Sequence, residues 1–518
     1  MAKVNLDALI PRADFGAQSE IDESFDFFNM ISISDFGPGS LKGPNFRKPD
    51  FQRETNHWSP EQVVSLLESF VNGDLVPSVI LWKSPTYLFV IDGGHRLSAL
   101  KAWVEDDYGD GAISYEYFGR EISRDQQKLA DKTRKLVNRS IGSYKQLILK
   151  NNKEDLPLEE RKKVTNAISR GLPVQWVKGD AGKAEQSFFK INTQGTPLDT
   201  IEELLLRNRN KPIPIAARAI IRAGTGHKYW SKFADEKSDK IVSLSKELHQ
   251  TLFQPDINRP IKTLDLPLGG SKGVRTALQI LIEFLLYANQ NQEGNPKTVD
   301  KYDDDETGDG TQDVLKRALK LAKRISGNDK GSLGLHPAVY FYGPTGRHSR
   351  SMFLGVSLLL AKKLINNDKS FFFTFTDNRA KLEELLTSQK DLVATIIQKH
   401  ISHKRIPMFA NLIDQVIKEL KLGNDVTPEK IVQISKLEGK IVLGTTTTES
   451  TTFSESTKSQ TFISKALSSN IKCPICQGYL DPEKSISYDH IIRKEDEGKG
   501  NSENLQLTHP FCNQSVKG

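Results

Sequence analysis

Two short pairs near the C-terminal end carry residue types suited to hold a metal: Cys473-Pro-Ile-Cys476 and His509-Pro-Phe-Cys512. With two residues between its ends, each pair curls the backbone so that both ligand atoms face one ion. Together they close a tetrahedral Cys3His set of the kind that binds structural zinc. The chain has 3 cysteines, all within these pairs, and an odd number in a reducing compartment argues for metal rather than disulfides. Between the pairs, "SISYDHII" alternates in polarity up to Asp489-His490, which predicts a strand; "DEGKGNSEN" reads as a loop and "NLQL" as the return. Such a unit is either a zinc knuckle that only binds or one that also cuts.

The segment resembles the HNH endonucleases, whose ββα-metal unit carries an Asp-His pair at a strand end, an Asn-Leu-Gln turn, and an Asn or His right after the second zinc pair. The corresponding residues are Asp489-His490, Asn504-Leu505-Gln506 and Asn513. The resemblance implies phosphodiester cleavage, which needs an activated water and a cation to neutralise charge on the phosphate. His490 is the expected general base, the role an imidazole side chain is suited to. Asp489 and Asn513 are the expected oxygen ligands of one catalytic Mg²⁺ or similar divalent ion. Asn504 is expected to orient the catalytic loop through backbone hydrogen bonds. His509 stands where many zinc-bearing members have cysteine.

A second stretch, "YLFVIDGGHRLSALKAWV" (Tyr87 to Val104), ends an apolar run in Asp92-Gly93-Gly94 and then switches to helical spacing. Glycines at a strand-to-helix turn let a ligand approach the backbone, and the helix N-terminus favours an anion. His95 and Arg96 add donors at the same point. With "DFQRETNHW", "VNGDLVPSVILW" and "SFFKINTQGTPLDTIEEL" in the same order, this stretch resembles the ParB-like domain of GmrSD-type restriction proteins. That resemblance implies a site for a nucleoside triphosphate at Gln52, Arg53, Asp92, Gly93, Gly94, His95 and Arg96, with Asn192 beside them. Which nucleotide binds, and whether it is hydrolysed, stays open.

These clusters must be positioned by several domains, since 518 residues exceed a single ordinary core. The expected fold is multidomain α+β: a flexible lead-in (1–45), a ParB-like α/β domain (46–207), a mostly helical middle (208–443), a Ser/Thr-rich linker (444–460) and a small zinc-bearing HNH domain (461–518). An acidic loop, "NQEGNPKTVDKYDDDETGDG", interrupts the helices and reads as mobile. In "VLKRALKLAKRI", Lys316, Lys320, Lys323 and Arg324 lie opposite the apolar side and read as a solvated face in preference to a DNA track. The longest apolar run, Met352 to Ala361, is about half the roughly 20 residues a membrane span needs, so no membrane partner is expected. The N-terminus "MAKVNLDALIPRADFG" lacks a secretory pattern, so a cytosolic location is expected. A net charge of +7 favours a polyanion.

The resulting expectation is a nucleotide-regulated, metal-dependent endonuclease acting on DNA, including modified phage DNA, in bacterial restriction or antiviral defence. Its rival is a nucleotide-switched DNA-binding or partitioning protein whose zinc knuckle does not cut. Self-association of the chain is left open.

Overall fold

The computed structural model describes residues 3–13, 15, 27–37, 39–50, 52, 55, 58–118, 122–151, 153, 155–194, 200–225, 227–257, 259–270, 274–441 and 452–517. It divides into two compact units, Met1–Arg209 with Thr225–Tyr229, and Asn210–Gly224 with Trp230–Gly518.

The first unit is built on a mixed sheet of six strands: β1 (Arg12–Ala13), β2 (Met30–Ser32), β3 (Phe46–Pro49), β4 (Val79–Lys83), β5 (Leu88–Asp92) and β6 (Gly171–Trp176). Their order is β1-β3-β5-β4-β6-β2, with β5 parallel to β3 and antiparallel to β4. The uninterrupted apolar run Leu88-Phe-Val-Ile suits an inner strand covered on both faces, and all four residues are buried. Helix Pro60–Asn72 covers one side with Val63, Leu67, Phe70 and Val71, one apolar stripe at helical spacing. Ser59 and Gln62 start that helix with reciprocal backbone hydrogen bonds, a capping box.

The expected flexible lead-in is instead partly core. Val4, Leu6, Leu9 and Ile10 are buried in the same cluster as the sheet and helix, and Arg12–Ala13 forms β1 beside β3. A buried carboxylate fixes this segment: Asp7 pairs with the Arg12 guanidinium and takes the Lys48 ammonium at 2.6 Å. Lys48 also donates to Thr55 Oγ1 at 2.9 Å. With both cations and the carboxylate out of water, each group's cost of burial is met only by the others.

The second unit is mostly helical. Helix Arg350–Ile365 lies along Arg405–Lys421, Asp235–Phe253 along Asp309–Ile325, and Val274–Ala288 along Pro212–Ile221. The acidic loop expected to be mobile is tied down within this unit. Its Asp305 is buried, accepts from Gly308 N at 2.8 Å and Thr311 N at 2.7 Å, and so places a negative charge at the start of helix Asp309–Ile325. Of the expected linker, 444–451 lie outside the described residues, whereas Glu455–Gln460 open helix Glu455–Ser468, capped by Ser454.

Candidate nuclease centre and nucleotide cradle

In the C-terminal segment, β7 (Ser487–His490) runs antiparallel to β8 (Leu505–Thr508), Asp489 opposite Gln506 and His490 opposite Leu505. A helical turn, Cys512–Lys517, follows. Cys473, Cys476, His509 and Cys512 are all buried, and their ligand atoms lie within 4.8 Å of one another. A tetrahedral zinc site, with Zn–S of about 2.3 Å and Zn–N of about 2.0 Å, brings ligand atoms to about 3.5–3.8 Å apart. His509 Nδ1 is 3.4 Å from Cys476 Sγ and 3.9 Å from Cys512 Sγ. Its Nε2 is 3.0 Å from the Tyr479 carbonyl, so a proton on Nε2 donates there and leaves the Nδ1 lone pair facing the sulfurs, the second-sphere arrangement of metal-binding histidines.

The thiol electrostatics point the same way. Hydrogen bonds from Cys476 and Cys512 hold the Cys473 thiol well below its ordinary value. The same coupling raises Cys476 to about 11 and Cys512 further still. Without a cation the cluster carries a single thiolate readily; a bound Zn²⁺ is what lets all three ionise. The four residues therefore fit zinc.

This small unit is locked to the helical body by a buried ion pair. Arg379 Nε donates to Glu383 Oε1 at 2.7 Å, while its Nη atoms donate to the Leu333 and Gly334 carbonyls. Glu383 Oε2 accepts from the Tyr479 N–H at 2.6 Å, reaching the residue whose carbonyl orients His509. Gly478 makes the approach feasible, since a Cβ there would meet Arg379 Nε at 2.5 Å.

Beside the zinc cluster, Asp489 is buried and its Oδ2 accepts from Gln506 Nε2 at 2.7 Å and from the Lys517 ammonium at 2.9 Å. Asn513 donates from Nδ2 to Ser487 Oγ at 2.8 Å. Ser487 and Asp489 are two apart on β7 and share a face, so the structure brings Asn513 to the strand face that carries Asp489. Neither Asp489 Oδ1 nor Asn513 Oδ1 has a hydrogen bond among the described residues, which leaves two hard oxygen donors for a divalent ion. His490 is half-buried, and its ring makes no hydrogen bond among the described residues. Asn504 is buried; its Oδ1 accepts from Ile492 N at 2.6 Å and its Nδ2 donates to the Ile492 and Lys499 carbonyls. It thereby ties the loop after β7 to the start of β8.

Sequence reasoning named Gln506 within the Asn504-Leu505-Gln506 turn without a role at Asp489, and it missed Lys517. The first was legible as the cross-strand neighbour of Asp489 once the hairpin register was known. The second lies four residues after Asn513, one helical turn on, and that spacing was its only signal.

In the first unit the Asp92–Arg96 turn also forms as a cluster. Gly93 has φ +97° and precedes helix Gly94–Glu105, a left-handed position that glycine occupies without strain. Arg96 donates to Asp92 Oδ2 at 2.7 Å and to the Ser78 carbonyl at 3.0 Å. Gln52 donates to the Ile91 carbonyl at 3.2 Å, and its Oε1 would lie 3.5 Å from a Cβ at Gly94. Gln52 Oε1 and Arg96 Nε are buried without a hydrogen-bond partner among the described residues, two orphaned groups that a polar ligand would satisfy. His95 stacks on Trp58, ring centroids 5.4 Å apart; Trp58 was not nominated from sequence. Arg53 lies outside the described residues. Asn192 falls on helix Ala181–Gln194, its side chain outside them.

Two families match the chain. The HNH endonuclease family matches residues 473–517, the stretch that carries the Cys3His group and the hairpin with Asp489 and His490. The family described as GmrSD restriction endonuclease, N-terminal domain, matches residues 27–210. Together the matches are those of a GmrSD-type restriction protein with a C-terminal HNH domain. No curated protein and no solved structure matches the chain. Among the described residues, no helix is long and apolar enough to cross a membrane.

Proposed function

We propose that this chain is a divalent-metal-dependent DNA endonuclease that hydrolyses phosphodiester bonds at Asp489, His490 and Asn513, acts in the cytosol in restriction or anti-phage defence, and is regulated by a nucleoside triphosphate. The observation that carries the reading is the face of β7 where Asp489 and Asn513 each keep an oxygen without a hydrogen bond among the described residues, with the half-buried His490 next in sequence at the strand end. A divalent ion held by those oxygens would supply Lewis acidity toward the phosphate. His490 takes a proton from the attacking water, whose oxygen bonds to phosphorus as the bond to the leaving sugar oxygen breaks. Asn504 keeps the loop in register, and the zinc set fixes both ends of the hairpin. A non-cutting knuckle would need none of Asp489, His490 and Asn513.

The N-terminal unit is proposed as a ParB-like nucleotide module, with Gln52, Arg53, Asp92, Gly93, Gly94, His95 and Arg96 around the phosphates and Asn192 nearby. The buried Arg96 Nε, a donor without a hydrogen-bond partner among the described residues, supports an anionic ligand there. Plasmid nicking with and without Mg²⁺ tests the nuclease. His490→Ala should lower cleavage by roughly 10²–10⁴ with zinc content and DNA binding retained, whereas Asp489→Ala and Asn513→Ala should first raise the Mg²⁺ requirement. Equal nicking by His490→Ala and parent removes His490 from the mechanism.

A further inference from the structure

The C-terminal segment from Thr461 onward carries equal numbers of basic and acidic residues, so the proposed nuclease centre has little charge of its own with which to hold a polyanion. Within the same unit, helix Asp309–Ile325 presents Lys316, Lys320 and Arg324 at successive turns, about 6 Å apart along its axis. Its opposite side, including Leu315, Ala318 and Ala322, is buried. The basic side is solvated, with Lys316 and Lys320 exposed as the sequence suggests, and it is not flat. It walls two adjoining recesses of about 490 and 360 Å³ that share Lys320, Arg324 and Lys330. The second recess adds Lys369, and Phe511 and Ser515 of the C-terminal segment close it.

Charge compensation within this groove is incomplete. Lys316 is near Asp313 at 3.6 Å, and Lys323 pairs with Glu247 at 2.8 Å and with Asp329, which lines the first recess, at 3.5 Å. Among the described residues, no carboxylate pairs with Lys320, Arg324, Lys330 or Lys369. Arg324 is held in place without an anion: it donates to the Gly331 carbonyl at 2.6 Å and lies 4.6 Å over the Phe372 ring. The second recess also reaches the C-terminal segment. Phe511 N donates to the Ser332 carbonyl at 3.0 Å, Phe511 stands between zinc-set residues His509 and Cys512, and Ser515 lies two residues past Asn513.

We infer that this groove is the track that holds the phosphate backbone of duplex DNA and leads it to Asn513 and Asp489. The inference rests on the proposed nuclease reading and supplies the affinity that its C-terminal segment lacks. Phosphate contacts of this kind are sequence-independent and salt-sensitive, each contributing about 0.9 to the slope of log K against log salt.

The test uses the full chain carrying His490→Ala, so that bound DNA is not cut, and a fluorescent DNA duplex titrated at several salt concentrations. The triple variant Lys320→Glu, Lys330→Glu, Lys369→Glu should weaken binding by about a hundredfold or more at low salt and reduce the salt slope by about 2–3. A control triple with the same change in net charge, Lys404→Glu, Lys421→Glu, Lys440→Glu, should bind close to the unsubstituted level with its slope unchanged. Zinc content and thermal unfolding establish that both triples fold. If the two triples lose equal affinity, the effect is net charge and the groove is not the track. If the groove triple loses an RNA duplex but keeps DNA, the assignment to DNA is overturned. The nuclease reading is judged separately by nicking with His490 intact: a parent that cuts while the groove triple binds normally overturns only the track, whereas a parent that neither binds nor cuts DNA overturns both.

Discussion

The hairpin beside the Cys3His group and the Asp92–Arg96 turn are both polar clusters at the end of a strand, but they are assembled in different ways. In the hairpin, the four zinc-set residues, Asp489, His490, Asn504 and Asn513 all fall between positions 473 and 513. The apolar cluster under them is small, formed largely by the cysteines themselves with Leu480. In the turn, Gln52, Trp58 and Ser78 come from separate segments and meet Asp92–Arg96 only because a six-stranded sheet with a large core sets them in place. The first cluster is therefore organised by a ligand set and the second by tertiary packing, which predicts opposite vulnerabilities.

Removing metal is the largest perturbation that separates them. Chelation or Cys473→Ser should strip zinc and unfold the segment after Ile471, because structural zinc contributes on the order of 10–16 kcal/mol of apparent binding free energy to such units. Elemental analysis and hydrogen exchange across β7 and β8 check this, with the first unit's sheet expected to stay protected. Folded, active protein without zinc would sink the idea. The converse perturbation is Asp7→Asn, which leaves Lys48 and Arg12 buried without their carboxylate. Breaking a buried pair in this way costs about 3–5 kcal/mol, and urea unfolding should show the loss in the first unit while zinc content is unchanged.

This difference also accounts for what sequence disclosed. Zinc ligands recur at fixed short spacings, so the Cys3His set and the strand ending at Asp489-His490 could be located without a fold. Lys517 on Asp489 could not, because that contact depends on how the last turn closes over the hairpin. The burial of Val4, Leu6, Leu9 and Ile10 was hidden for a related reason. The run is too short to show a helical or strand period, and only the pairing of β1 with β3 and the Asp7 ion network turn it inward. The docking of the zinc unit through Arg379 and Glu383 was likewise illegible, since an Arg and Glu four apart on a helix ordinarily mark a solvated pair. Here both are buried, and Glu383 reaches the Tyr479 backbone.

The smallest effect belongs to Arg96, and it bears on whether the turn is a binding site or only a well-packed corner. Its Nη2 is already committed to Asp92 and the Ser78 carbonyl, so a phosphate would have to use the remaining edge, where Nε is buried without a partner among the described residues. Asp92 is 39% exposed at its side chain, and an i,i+4 pair open to solvent to that degree is worth a few tenths of a kcal/mol. Arg96→Ala should therefore leave the first unit's stability almost unchanged. If the turn binds a nucleotide, the same change removes a charge-assisted hydrogen bond worth about 1.5–3 kcal/mol, a loss of tenfold or more in affinity, and alters the nucleotide dependence of nicking. Arg96→Lys keeps the charge but not the planar fork and should recover only part of it. Calorimetric titration of ATP, GTP and CTP into parent and both variants decides the matter. A parent that binds none of the three, with nicking indifferent to all of them, reduces the turn to packing and makes the orphaned Gln52 and Arg96 atoms sites for ordered water.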